Sequence, residues 1–274
     1  MTGTSVRRSY IDGPCGQIHM REIHPVTATG IPLMCFHLSP KSGRVYENFL
    51  SEMGRDRQCF APDTPGLGAS DAPDRPPEIS DYARWLGTAL DAYHIPRVDL
   101  MGYHTGSKIA VELALQQPAR IRRLVLVSAP VYSDTELEQM RQMYAATELA
   151  ADGSHLNRLW QPAWQWRGPC QNLQDVTDSL ADTLRAGERY WWGHRAAFRY
   201  PMQEHLPNLR QPVMVLRPGD DLWEQTGRAR QFIREGGMVD LKDWGHGFLD
   251  YQTVAAASLV RSFLDEGELP TVPA

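Results

Sequence analysis

The chain has 274 residues, 42% of them hydrophobic and 22% charged, with a formal net charge of -5. That length suits one large buried core, or a core with a subdomain. No basic stripe points to nucleic acid, no polybasic or amphipathic block to a membrane surface, and no run approaches the about 18 apolar residues of a spanning helix.

The start, Met1 to Tyr10, is polar with two arginines and reads as carrying no secretory signal. Arg7–Asp12 and Gln17–Ile23 then suit two antiparallel edge strands joined by the turn Gly13-Pro14-Cys15-Gly16. Ile31–His37 is a continuous apolar run, as expected of a strand covered on both faces. Val45–Met53 has helical spacing and Gln58–Pro62 is the next strand. Ile79-Ser80-Asp81 offers an N-cap for a helix over Tyr82–Tyr93, and Val98–Gly102 is a strand running straight into a helix over Thr105–Gln117. Leu124–Ser128, Pro212–Leu216 and Gly237–Leu241 complete the strands, and Gln252–Leu264 reads as a closing helix before a loose tail. The four cysteines, Cys15, Cys35, Cys59 and Cys170, lack CxxC spacing and read as reduced, mostly structural thiols of a cytoplasmic protein.

Strand–helix alternation of this kind predicts an α/β fold with a doubly wound, mostly parallel sheet. One stretch breaks the rhythm. Between Ala129 and Pro212 no strand is evident, and five of the eight tryptophans, Trp160, Trp164, Trp166, Trp191 and Trp192, fall there. Residues 131–208 therefore read as a helical cap inserted into a core formed by 1–130 and 209–274. Its histidines, His155, His194 and His205, read as solvated or structural.

At Val98–Gly106 a strand enters Gly102-Tyr103-His104-Thr105-Gly106 and then a helix. Glycines flank the central residue because the turn is too tight for a Cβ there, so the central side chain is pushed into a pocket at the helix N-terminus. This resembles the nucleophile elbow of the α/β-hydrolase superfamily, with histidine where that family usually carries serine. Four further segments match in order. Phe36-His37-Leu38-Ser39-Pro40 resembles the loop that supplies an oxyanion-hole N–H, with Leu38 in place of the usual glycine. Asp63–Asp71 resembles the family's Gly-rich bracing loop. Asp220-Asp221 follows a strand where the family places its acid, and Trp244-Gly245-His246-Gly247 follows the last strand where it places its histidine.

The resemblance covers about residues 7–265 and is strongest to cap-bearing C–C-bond, ester and epoxide hydrolases. It implies His104, Asp221 and His246 as catalytic residues, with Asp220 in reserve for the acid, and the N–H groups of Ser39 and Thr105 as oxyanion donors. His37, Leu38, Tyr103, Trp164, Trp191 and Trp192 are the candidate substrate contacts, although His37 also reads as a structural hydrogen-bonder. Ser107 and Thr105 lie past the elbow and are not expected to replace the nucleophile.

A histidine at the elbow permits three chemistries. It could attack an activated carbonyl directly, act as base on water, or shuttle a proton in a non-hydrolytic lyase, decarboxylase or cofactor-free oxygenase reaction. The rival to any enzyme is a small-ligand-binding protein that keeps only the fold. A metal held by His104, His246 and an aspartate is disfavoured on sequence, because a helix N-terminus repels cations. The reading is therefore a cofactor-free, metal-free enzyme acting on a small apolar or aromatic carbonyl compound. Neither nucleic acid nor membrane is expected as a partner, and nothing in the sequence specifies an oligomeric state.

Overall fold

In the computed structural model, which describes residues 5–145 and 149–270, strands β1 (Arg7–Gly13) and β2 (Gly16–Ile23) form the expected antiparallel hairpin, with Tyr10 opposite His19. Six more follow: β3 (Leu33–Phe36), β4 (Cys59–Pro62), β5 (Val98–Tyr103), β6 (Ile121–Val127), β7 (Val213–Pro218) and β8 (Gly236–Leu241). They make one eight-stranded sheet in the order β1-β2-β4-β3-β5-β6-β7-β8, in which every pair from β4 to β8 is parallel. Of the two hairpin strands only β1 lies at an edge of the sheet, β8 forming the opposite edge. β2 also pairs with β4, antiparallel, so it is an inner strand.

Side chains alternate across each strand, and that alternation divides the core in two. Leu100 and Leu126 pack on one face against helices α2 (Ile79–Ala92) and α3 (Thr105–Gln116). Met101 and Val125 pack on the other, against α1 (Glu47–Met53) and the C-terminal helix described below. The cap of α2 differs from expectation. Glu78 is the N-cap residue: its N–H donates to Asp81 Oδ2 at 3.2 Å, and Asp81 N–H donates back to the Glu78 carbonyl at 3.1 Å. Buried Cys35 and Cys59 act as core apolar groups.

Between β6 and β7 the described chain forms α4 (Asp134–Met143), α5 (Ser154–Gln165), α6 (Leu173–Arg185), α7 (Trp192–Arg199) and the short α8 (Met202–His205). Helices α4 and α5 contribute no buried residue. After β7 come α9 (Trp223–Gly227), α10 (Phe248–Tyr251) and α11 (Thr253–Glu266), the last closing the second face with Val260, Phe263 and Leu264. The expected loose tail is described only as far as Pro270, and its last four residues, like the first four of the chain, lie outside the described residues. Among the described residues no helix is long and apolar enough to cross a membrane.

The order β4-β3-β5 reverses the direction of strand addition, so the loops after β3 and β5 diverge at the carboxyl ends of the strands. Such a switch point opens a crevice. It gathers segments far apart in sequence: His37–Ser39 after β3, His104 after β5, Ser128 after β6, Asp220–Asp221 after β7 and His246 after β8.

Candidate active site

His104 joins β5 to α3 with φ 49° and ψ -109°, a conformation that residues other than glycine rarely adopt and that costs about 1–3 kcal/mol. Its backbone is pinned on both sides, its N–H donating to Val127 O at 3.0 Å and its carbonyl accepting from Ser107 N–H at 3.0 Å. The flanking glycines are required by space. A Cβ on Gly102 would lie 2.2 Å from Gly106 O, and one on Gly106 would lie 1.9 Å from Phe36 O. The tight turn therefore follows from the sequence, and it aims the His104 side chain into the crevice.

There the imidazole meets a carboxylate. His104 Nε2 lies 3.0 Å from Asp220 Oδ2, which also accepts from Ser128 Oγ at 2.5 Å, while Asp220 Oδ1 accepts from Leu222 N–H at 3.0 Å. The neighbouring Asp221 turns to the other histidine, its Oδ1 lying 2.6 Å from His246 Nε2. The two imidazole rings are 5.5 Å apart, centre to centre, at 65°. Both aspartates are thus engaged, one with each histidine. Burial alone would raise the Asp220 carboxyl, but its hydrogen bonds to His104 and Ser128 and the nearby His246 hold it below the usual carboxylate range. Asp221 is likewise raised by burial, yet its bond to His246 and the adjacent His104 hold it down at about 2. Burial pushes His246 down, and the carboxylates outweigh that to leave it above the usual imidazole value.

The structure brings His104, Asp221 and His246 together and places Ser39 and Thr105 on the rim of a cleft of about 460 Å³, measured with its open mouth, that His104 and Asp221 also line. As the first residue of α3, Thr105 carries one of the helix's N–H groups with no intrahelical acceptor. Ser107 is excluded as a nucleophile, since its buried hydroxyl reaches the carbonyls of Gly102 and Val127 at 2.8 and 2.9 Å.

Most of the expected substrate contacts lie elsewhere. His37 clamps two loops, Nδ1 donating to Leu38 O at 2.8 Å and Nε2 accepting from Thr64 N–H at 2.9 Å, and burial holds it neutral. Leu38 packs into the core beside it. Tyr103 lies behind the elbow, its ring 4.8 Å from that of His104 and its buried hydroxyl without a partner. Trp164 stacks on Trp160 at 6.0 Å and carries Arg167 on its face. Trp191 and Trp192 are half-buried and do not line the cleft, Trp192 sitting beside Gly66. Large apolar rings that satisfy one another have no need of the cleft. Its inserted wall is instead Tyr132, Met140, Tyr144, His194, Ala197 and Phe198. His194 was read as solvated or structural, but it lines the cleft, stacks on Tyr144 at 4.2 Å and is pushed down to about 3 by burial and by His104.

Sequence reasoning also missed Ser128 and Lys108. Lys108 follows His104 by four residues, the spacing that puts two side chains on one helix face, and that signal could have found it. Among the described residues, the ligand atoms of His104, Asp220, Asp221 and His246 all lie within 4.8 Å of one another.

Comparison with known proteins agrees with this architecture. Residues 31–223 match the alpha/beta hydrolase fold family. The chain is 35% identical over 273 residues to a 2-hydroxymuconate semialdehyde hydrolase of Pseudomonas sp. (strain CF600), covering 90% of this chain and 91% of that one. Its fold resembles that of a hydrolase from Pseudomonas aeruginosa PA01 (TM-score 0.77, 21% identity, 94% and 98% of the two chains). It also resembles the enol-lactonase from Burkholderia xenovorans LB400 (TM-score 0.76, 17% identity, 94% and 100% covered). The chain belongs to the alpha/beta hydrolase fold family, as an enzyme of the hydrolase class.

Proposed function

We propose that this enzyme hydrolyses a small apolar or aromatic carbonyl compound, an ester, a lactone or a C–C bond beside a carbonyl, with His104 as a base rather than as a stand-in for serine. The observation that carries this reading is the His104–Asp220 contact of 3.0 Å. With Nε2–H donated to the carboxylate, the neutral ring keeps its lone pair on Nδ1, free to take a proton from water. The water attacks the carbonyl carbon, and the oxyanion that forms accepts from the N–H groups of Thr105 and Ser39. Collapse expels the leaving group, which takes a proton from an imidazolium. His246 is suited to that second role, because Asp221 stabilises its charged form.

In this reading residues 131–208 act as the cap. They wall the cleft with Met140, Tyr144 and Phe198 and keep bulk water from the reacting carbonyl. The 2-hydroxymuconate semialdehyde hydrolase relative and the enol-lactonase fold neighbour favour a compound with a conjugated or enolic carbonyl. The proposed setting is the cytoplasm, with no nucleic-acid or membrane partner.

A panel of aryl esters, lactones and vinylogous diketones run in H2¹⁸O tests the proposal. One ¹⁸O should enter the acid product, and His104→Ala and Asp221→Asn should each lower kcat by at least about 100-fold. Product formed without ¹⁸O would favour a proton-shuttling lyase instead, a role the same His104–Asp220 pair can also serve. No turnover together with tight ligand binding would favour a binding protein.

A further inference from the structure

Asp220 and Asp221 follow the end of β7, and the Asp220 side chain is fully buried. Among the described residues neither has a lysine or arginine within 4.0 Å, and their ion-pair partners are the two imidazoles. Each imidazole presents Nε2, at the tip of its ring, to a carboxylate oxygen, at 3.0 Å for His104 and 2.6 Å for His246. Around an ion with bonds of about 2.0–2.2 Å to nitrogen and oxygen, neighbouring donors sit about 3.0–3.5 Å apart. The four donors here, all within 4.8 Å of one another, are therefore close to a coordination shell and need only small side-chain rotations to complete one.

We infer that His104, Asp220, Asp221 and His246 bind a single divalent first-row transition ion. Two imidazoles with two carboxylates suit manganese, iron, cobalt or zinc better than calcium or magnesium, which prefer all-oxygen shells, or copper(I), which prefers sulfur. A serine at the elbow would supply no imidazole, so the histidine at position 104 is what completes the donor set. The sequence argument against a cation rested on the N-terminus of α3, worth about half a positive charge; two ionised carboxylates outweigh it fourfold. Asp220 is also held from behind by Ser128 Oγ and Leu222 N–H, which fixes the direction of its free lone pairs. A bound ion would supply Lewis-acid polarisation of an oxygen in the cleft. An ion on Nε2 of His104 would leave the ring's proton on Nδ1, so the metal-bound state and the base role of His104 are alternatives; the inference stands apart from the hydrolytic reading, because binding is measured without turnover.

The test uses the full chain, stripped with a chelator and titrated with Co²⁺. The expected result is one Co²⁺ per chain, with visible d–d absorption bands that Zn²⁺ abolishes by displacement. Asp220→Asn and His104→Ser should each weaken binding more than the about 10–100-fold typical of losing a group behind a ligand. Serine fits the turn, so His104→Ser keeps the fold. His155→Ala and His205→Ala, on histidines away from the cleft, should bind as wild type does. No stoichiometric Co²⁺ on the wild type, or binding unchanged in His104→Ser, overturns the inference. Turnover by the stripped protein without any Co²⁺ binding would refute the metal site and leave the hydrolase reading standing. Binding without turnover on the carbonyl panel would do the reverse.

Discussion

Replacing Lys108 with methionine should make the protein more stable at neutral and acid pH. The lysine is 2% exposed on α3, and among the described residues no carboxylate lies in ion-pair range. Its Nζ donates to one carbonyl, Tyr200 O at 3.3 Å, and lies 5.8 and 5.9 Å from the ring centres of Tyr132 and Tyr200. Burial without a counter-charge pushes the amine from 10.5 down to about 7. The unfolded chain therefore binds more protons than the folded one between about pH 7 and 10.5, and stability rises with pH across that window. At about 1.4 kcal/mol per pH unit, the penalty below pH 7 is on the order of 5 kcal/mol, and it vanishes above about 10.5.

Methionine fills a similar volume without a charge, and the Tyr200 carbonyl keeps its bond from Met202 N–H at 3.0 Å, so what is lost is the charge-assisted bond of Lys108, worth about 1.5–3 kcal/mol. The net gain at pH 6 is about 3 kcal/mol, a rise in Tm of about 6–12 °C for a chain of this size. Melting curves of wild type and Lys108→Met at pH 6, 8 and 10, followed by tryptophan fluorescence, measure it. The gap should shrink steadily as pH rises and reach zero or change sign by pH 10. A gap independent of pH, or a less stable variant at pH 6, would refute the reasoning.

Three further outcomes follow from the elbow. His104→Gly should abolish turnover yet melt within about 1 kcal/mol of wild type, because the strain at φ 49° is released as the Asp220 contact is lost; a large loss of Tm would show that the imidazole holds the fold together. Ser128→Ala removes the 2.5 Å bond to Asp220 and should lower kcat about tenfold with the fold kept, so an unchanged kcat counts against the proposed role of the His104–Asp220 pair. Serine-directed fluorophosphonates should leave the protein unmodified by mass spectrometry, whereas an adduct on Ser39, Ser107 or Ser128 would mean that a hydroxyl is activated after all.

The strands were legible in the sequence because buried parallel strands are continuous apolar runs, and Ile31–His37 and Val98–Gly102 could be little else. The elbow was legible because two glycines at fixed spacing answer a steric need that the backbone itself creates. The resemblance named Asp221 as the acid, and Asp221 does meet His246, but the contact of Asp220 with His104 was not legible. Residues 220 and 221 are adjacent, so one goes to His104 and the other to His246, and only the folded loop decides the pairing. The tryptophans misled for a related reason. Trp160 and Trp164 are four apart on α5, the spacing of one helix face, and they stack on each other. Hydrophobicity identifies a side chain that needs cover but does not say what will cover it.

Helices α4 and α5 of the inserted segment contain no fully buried residue, and Leu137, Met140, Trp160 and Trp164 are only half-buried. Apart from the bond that Pro162 cannot donate within α5, their backbone hydrogen bonds are closed, yet less apolar surface would be newly wetted if they came apart than on opening the sheet. The free energy of opening them is therefore a small fraction of that for unfolding the sheet, whose inner strands are buried along almost their whole length. Two tiers of stability result in one chain. Amide hydrogens of α4 and α5 exchange through local opening, while those of β3 and β5 wait for global unfolding. Because Met140 of α4 lines the cleft, local opening of that helix unwraps the wall above His104 while the elbow itself stays assembled.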